Sequence, residues 1–405
     1  LIVTMKTKEI IMFKLNTVRM MVAGTIAAGA LFGSSLASAQ ATPPANPVVI
    51  NVVDVGGALA FLQEGLEKYR DQNPKFVSRI TFTKAPAPEL PGKLKAMQAA
   101  NRSDIDLVVG GVDILSSGID QGLWLPVLSA HANAFPGVLD SYLPAARKMQ
   151  DLTQGQALAV GFMYNGPLLE YNPAKIKTPP TTPQELLAWC KANPNRFLYA
   201  RPANSGPGRA FIMGLPYLLG DKDPKDPVNG WEKTWAYLKD LDSCIEYYPS
   251  GTGAVMKEVG EGSRDMTMTA TGWDINPRAL GIVPKEFKIG LFKNMTFVND
   301  TQYMMVPKGV TGDKLTVVLD LMRYMMTPEA QALTWDKGYF YPGPAIKNVP
   351  LSMAPKASQD VIKEFGRPEY DDILTKYPHA TQLEAKAMVA AFRKWDEEVG
   401  ARKTR

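Results

Sequence analysis

Histidine and cysteine are scarce in this chain, at two of each in 405 residues. His131 and His379 both stand in loop-like surroundings, too few and too isolated for a histidine-based metal centre or a Ser-His-Asp arrangement. No H-E-x-x-H, C-x-x-C or EF-hand spacing occurs, so no metal is expected. No G-x-G-x-x-G follows any strand-like run, and no G-x-S-x-G elbow exists, since Ser205 has glycine only after it. These gaps leave no catalytic residue and no cofactor to name. Long apolar runs are also missing, apart from one near the N-terminus, so no membrane span is expected in the rest of the chain.

That one run, 20–36, follows Lys14 and Arg19 and ends at Ala37-Ser38-Ala39. Positive flank, apolar middle and an A-x-A ending make 1–39 a secretory signal peptide. Gly24, Gly29, Gly33, Ser34 and Ser35 break the run, which disfavours a membrane anchor. No cysteine sits at the cleavage point to carry a lipid. A Pro/Ala spacer, 40–47, then forms a flexible mature N-terminus. The excess of 45 basic over 40 acidic residues partly belongs to the leader. Setting aside Lys6, Lys8, Lys14, Arg19 and Glu9 leaves 41 against 39, too balanced for a nucleic-acid partner. An exported chain permits one disulfide between Cys190 and Cys244, with two buried thiols as the other reading. About 365 mature residues exceed the ~250–300 at which one core stops growing, so two lobes are expected.

Strand-like runs alternate with helical periods, the pattern of parallel βαβ units. The run 48–53 is a buried strand followed by Asp54-Val55-Gly56-Gly57 and a helix to about Asn73. The strand 105–109 likewise ends in Gly110-Gly111, with Asp113 opening the next helix. Glycine turns between strand ends and helix starts are where α/β folds place ligands. Residues 201–209 form the strongest such loop. Asn204 and Ser205 can cap the helix, Gly206 and Gly208 admit a ligand to the backbone, and Arg201 and Arg209 favour an anion. Thr271-Gly272-Trp273-Asp274 is the second, a ring and a carboxylate suited to an organic cation. Asp54, Asp300, Tyr164, Tyr303, Tyr339 and Tyr341 supply further acids and aromatic walls. The acids and the arginines point to opposite ligand charges, and both readings stay open.

The stretch 158–189 ties these pieces together. A short strand and a Tyr-Asn-Gly-Pro break lead to Leu169-Glu170-Tyr171-Asn172. A proline-rich spacer then reaches the helix start Thr182-Pro183-Gln184-Glu185-Leu186, with threonine as N-cap and proline at the first helical position. This order resembles the first lobe crossover of periplasmic solute-binding proteins of ABC importers, in the spermidine/putrescine, iron and thiamine branch of the type II fold. The resemblance implies two α/β lobes around a ligand cleft. Lobe 1 would be 48–157 and 299–338, and lobe 2 would be 164–296 and 345–400. Hinge crossings would fall at 158–163, 297–298 and 339–344, and the last helix, 384–399, would dock on lobe 2. It further implies a periplasmic, monomeric binding protein that closes on a small polar solute and delivers it to a membrane permease and its ATPase. A polyamine-like cation is the first expectation. A carboxylated or phosphorylated solute, a metal ion, and a sensor-coupled role are the alternatives, with an exported enzyme on the same fold least favoured. The ligand-binding residues expected are Asp54, Gly56, Gly57, Gly111, Asp113, Tyr164, Arg201, Asn204, Ser205, Gly206, Thr271, Trp273, Asp274, Asp300, Tyr303 and Tyr339.

Overall fold

The computed structural model describes residues 41–401 and 403. The expected signal peptide lies outside them. Residues 41–47 carry no helix or strand, and Ala41 packs on the core. In chain order the strands are β1 (Val48–Val55), β2 (Val77–Lys84), β3 (Leu107–Gly110), β4 (Ala157–Gly166), β5 (Leu168–Tyr171), β6 (Phe197–Leu198), β7 (Met266–Thr269), β8 (Lys288–Gly290), β9 (Phe297–Met305), β10 (Pro342–Gly343) and β11 (His379–Ala380). They form two sheets. The larger has seven strands in the order β10-β4-β9-β3-β1-β2, with β11 added on β9, and the smaller runs β6-β7-β5-β8.

The β-branched run of β1 suits a strand covered on both faces. It lies parallel between β2 and β3, joined by the helices Leu59–Gln72 and Leu90–Ala99. β9 then enters antiparallel to both β3 and β4. All nine of its residues are buried, including the polar run Asn299–Gln302 in its middle. Burying polar groups costs free energy unless they find partners, so such a run at the centre of a sheet calls for a reason beyond packing.

Helix starts follow the local sequence. Thr182 Oγ1 accepts from the Glu185 amide at 3.1 Å, and the Glu185 carboxylate accepts from the Thr181 amide at 2.7 Å, fixing the helix Pro183–Ala192. Cys190 at its end is bridged to Cys244, with Cα atoms 5.8 Å apart. Ser205 Oγ accepts from the Gly208 amide at 3.1 Å and starts the helix Gly206–Leu219, which stops at left-handed Gly220, φ 65°.

Three expectations about the crossings change. Residues 158–163 lie inside β4, which stays hydrogen-bonded in the large sheet to Gly166. The chain therefore passes to the small sheet at 166–168, because a strand paired along its length cannot turn away midway. Residues 297–298 are already the start of β9, and 339–344 contain β10, paired with β4. The last helix, Ala385–Trp395 with a π-turn over Asp396–Gly400, does not dock on the small-sheet part alone. Its body packs on the helix Val112–Asp120 beside the large sheet. Only its end reaches the other part, where Trp395 Nε1 donates to Tyr199 Oη at 3.0 Å. Among the described residues no helix is long and apolar enough to cross a membrane.

Candidate functional site between the two sheets

A cavity of about 250 Å³ lies where the two parts face one another. The large-sheet part contributes Gly56, Gly111, Asp113, Asp300 and Gln302. Met163 of β4 adds to the large-sheet side. The small-sheet part contributes Asn204, Gly206, Arg209, Thr252 and Trp273, and Tyr339 and Phe340 come from the segment before β10. Strand alternation selects the residues of β9: successive side chains point to opposite faces, so Asp300 and Gln302 face the cavity while Tyr303 faces away.

Arg209 is the centre of the charge arrangement. Its side chain is 4% exposed, with Nη2 3.2 Å from Asp300 Oδ2 and Nη1 4.0 Å from Asp113 Oδ2. Burial works against its charge, but Asp300 and Asp113 outweigh burial and leave its pKa raised. Burial also raises the Asp113 carboxyl, with Arg209 opposing. Asp300 Oδ2 further accepts from Asn165 Nδ2 at 3.2 Å. Three donors and acceptors in this shell stay without a protein partner: Arg209 Nε, Gln302 Oε1 and Asn165 Oδ1.

The glycines allow this crowding. A Cβ on Gly111 would stand 2.8 Å from Asp113 Oδ1 and 3.3 Å from Arg209 Nη2, and one on Gly206 would stand 2.9 Å from Asp300 Oδ2. Four helices present their first turns here: Val112–Asp120, Gly206–Leu219, Thr252–Gly260 and Thr271–Ala279. Their unpaired amides and dipoles favour an acceptor or an anion. Trp273 and Tyr339, with ring centroids 5.5 Å apart, supply an aromatic wall.

Of the residues expected from sequence, the structure brings Gly56, Gly111, Asp113, Asn204, Gly206, Trp273, Asp300 and Tyr339 to the cavity. Asp54 and Gly57 line a separate outer groove, which Tyr339 also borders. Asp54 Oδ1 accepts from the Leu59 amide at 3.4 Å, a helix-capping role. Ser205 is one layer behind, sharing a hydrogen bond with Thr252 Oγ1 at 2.8 Å. Thr271 Oγ1 lies 2.8 Å from the carbonyls of both Tyr164 and Tyr341, which share its single proton, and so ties this helix start to β4 and to the residue before β10.

Four residues turn away. Asp274 is fully buried, held by Arg278, by Arg367 at 2.6 Å and by the Tyr370 hydroxyl at 2.7 Å. Neighbours on a helix point about 100° apart, and here Trp273 takes the cavity side while Asp274 turns to Arg278, Arg367 and Tyr370. Tyr303 is buried in the core and donates to the Met149 carbonyl at 3.1 Å. Tyr164 stands on the opposite face of β4 from Met163, packed edge-on against Phe162 at 5.0 Å. Arg201 pairs with Asp396 at 2.7 Å. Sequence reasoning did not single out Gln302, Thr252, Gly251 or Gly253. Two signals were there to read: the polar run inside β9, and Gly251-Thr252-Gly253 opening a helix just as Gly110-Gly111 does. Among the described residues no cluster of His, Cys, Asp or Glu suits a metal ion.

Two sheet-and-helix units with a polar cavity between them, reached by several chain crossings, define a two-lobed binding protein, and solved structures agree. A putative spermidine/putrescine ABC transporter from Listeria monocytogenes is 13% identical, covering 87% of this chain and 99% of that one at TM-score 0.60. The periplasmic binding protein AfuA from Actinobacillus pleuropneumoniae is 15% identical, covering 87% and 98% at TM-score 0.60. A structure described as a GABA receptor is 16% identical, covering 87% and 96% at TM-score 0.59. No curated protein sequence matches the chain. The profile of the bacterial extracellular solute-binding protein family matches residues 66–363. The chain belongs to that family.

Proposed function

We propose that this protein is the periplasmic component of an ABC importer, exported by its signal peptide. It would capture a small polar solute between its lobes by hinge closure and present it to a membrane permease and ATPase. Closure needs the solute to favour the closed state, which residues from both lobes around one cavity provide. We assign the solute as a compact molecule bearing both an anionic or acceptor group and a cationic or donor group. The observation that carries this is the buried Arg209 between Asp113 and Asp300, with Arg209 Nε and Gln302 Oε1 left unpartnered. The acceptor end would meet Arg209 Nε and the helix starts. The donor end would meet Gln302 and the two carboxylates, with Trp273 and Tyr339 against its apolar part.

A polyamine-like cation is the second reading. It is favoured by the two carboxylates and two rings, and by the name of the Listeria structure, but it would place positive charge beside Arg209. AfuA, whose structure holds fructose-6-phosphate, shows an anionic ligand on the same fold. A thermal-shift screen of protein unfolded and refolded to strip carried-over solute separates these readings. A ligand at 100 times its dissociation constant adds about 2.7 kcal/mol. A shift with amino-acid-like zwitterions is the expected result. A shift with polyamines alone would favour the second reading, and a shift with sugar phosphates or dicarboxylates alone would reject both.

A further inference from the structure

The C-terminal segment touches both lobes, and it does so along one flank of the cavity. At its start, β11 pairs with β9 at Phe297 and Val298, and Gln382 Nε2 donates to the Asn299 carbonyl at 3.1 Å, one residue from Asp300. Lys225, from a loop of the other lobe, reaches across to this point. Its Nζ lies 2.6 Å from the Thr381 carbonyl and 3.2 Å from that of Gln382. The helix Ala385–Trp395 then lies on the helix Val112–Asp120, whose first turn carries Asp113. Ala385, Met388 and Ala391 form its buried face.

At its far end the segment is fastened to the small-sheet lobe. Trp395 Nε1 bonds Tyr199 Oη at 3.0 Å, and its ring packs on Tyr248 with centroids 4.9 Å apart. Asp396 pairs with Arg201 at 2.7 Å, and the guanidinium lies 5.3 Å over the Trp395 ring. Glu398 pairs with Lys239 at 2.5 Å. Arg201 opens the short turn Pro202–Asn204, which delivers Asn204 and Gly206 to the cavity.

We infer that the C-terminal helix is an interlobe strap, with Trp395 and Asp396 as positioning residues for the turn that carries Asn204. Separating the lobes about their crossings would have to peel this helix from Val112–Asp120 or break its fastenings at Tyr199 and Arg201. The strap therefore biases the solute-free protein toward the closed arrangement and sets how far it opens. The buried Trp395 contact and the flanking ion pairs act together because one continuous helical segment carries them.

The inference is tested without solute, so its outcome is independent of the ligand reading. Spin labels are placed at Glu89→Cys and Lys257→Cys, exposed positions in opposite lobes. The native cysteines are bridged and do not react. The otherwise unaltered protein is expected to give one narrow distance distribution by pulsed electron resonance. Asp396→Asn and Arg201→Met should each add a second, longer-distance population, and Trp395→Phe with Asp396→Asn a larger one. Asp396 is half exposed, so Asp396→Asn keeps the fold and must shift in the same direction as the larger change. Unchanged distributions in variants that retain the parent melting curve would overturn the inference. So would an equally large open population in the parent.

Discussion

Arg209, Asp113 and Asp300 form a buried cluster, with the guanidinium 3.2 Å from one carboxylate and 4.0 Å from the other. Removing one partner of such a group leaves the rest desolvated and unpaired, at a cost of about 3–5 kcal/mol. Arg209→Met should therefore lower both stability and solute affinity. Neighbouring residues on the helix Thr271–Ala279 separate those two effects. Trp273 faces the cavity and is only half-buried. Trp273→Ala should weaken binding about fivefold to thirtyfold, from about 1–2 kcal/mol of ring contact, with little change in melting. Asp274 is bound by two arginines and a tyrosine instead. Asp274→Asn should lose about 3–5 kcal/mol of stability and leave the dissociation constant nearly unchanged where the protein is folded. Calorimetric titration with the solute found by the screen, alongside urea unfolding, checks both variants. An affinity loss in Asp274→Asn equal to that in Trp273→Ala would refute this division of roles.

At the scale of elements, helix starts and one disulfide hold the small-sheet lobe in register. Ser205 caps the helix Gly206–Leu219 and also bonds Thr252, so it couples two of the four helix starts around the cavity. Ser205→Ala should cost about 1 kcal/mol as a lost cap. It should also weaken binding though Ser205 lines no part of the cavity, which titration of the variant reads directly. The Cys190–Cys244 bridge spans 54 residues and ties the end of the helix Pro183–Ala192 to the segment after Glu232–Asp242. A cross-link over a loop of this size stabilises by about 2–4 kcal/mol. The Cys190→Ala/Cys244→Ala double variant should show that deficit in denaturant unfolding, and reduction of the parent should reproduce it.

For the whole molecule, pH reaches stability through carboxyls that folding makes less acidic. Burial, with Glu64 adding and Lys337 opposing, raises Asp336 to about 6 from an ordinary 3.8. Burial raises Glu170 as well, with Asp274 adding and Arg278 and Arg367 opposing. A carboxyl with a raised folded pKa binds its proton more tightly when folded. Its stabilising contribution is complete below about pH 4 and is lost as pH rises through the folded pKa. For Asp336 the loss should amount to roughly 1–2 kcal/mol after solvent screening. The stability difference between parent and Asp336→Asn should fall by that amount from pH 4 to pH 7. A difference that stays flat or rises would show that Asp336 is not held protonated by the fold.

Much of this protein was determined locally and so was readable in the sequence. Glycine turns after β1 and β3, Thr182 and Ser205 as caps, and the two-lobe expectation from length all follow from residue type and near neighbours. So does the placement of Gly111, Asp113, Asn204 and Gly206 near strand ends and helix starts. What only the tertiary structure decided is which way side chains turn and what meets across distance. Alternation along β9 sends Asp300 and Gln302 to the cavity and Tyr303 to the core, but the phase of that alternation depends on where the strand begins, at Phe297. Asp274 is captured by Arg367 and Tyr370, from a segment more than ninety residues further on. Arg201 is captured by Asp396, and the last helix lies on Val112–Asp120 instead of docking wholly on the lobe nearest its end. Local conformation is set by backbone sterics and capping, which a short window contains. The charge partners of a buried residue are set by long-range packing, which no short window contains.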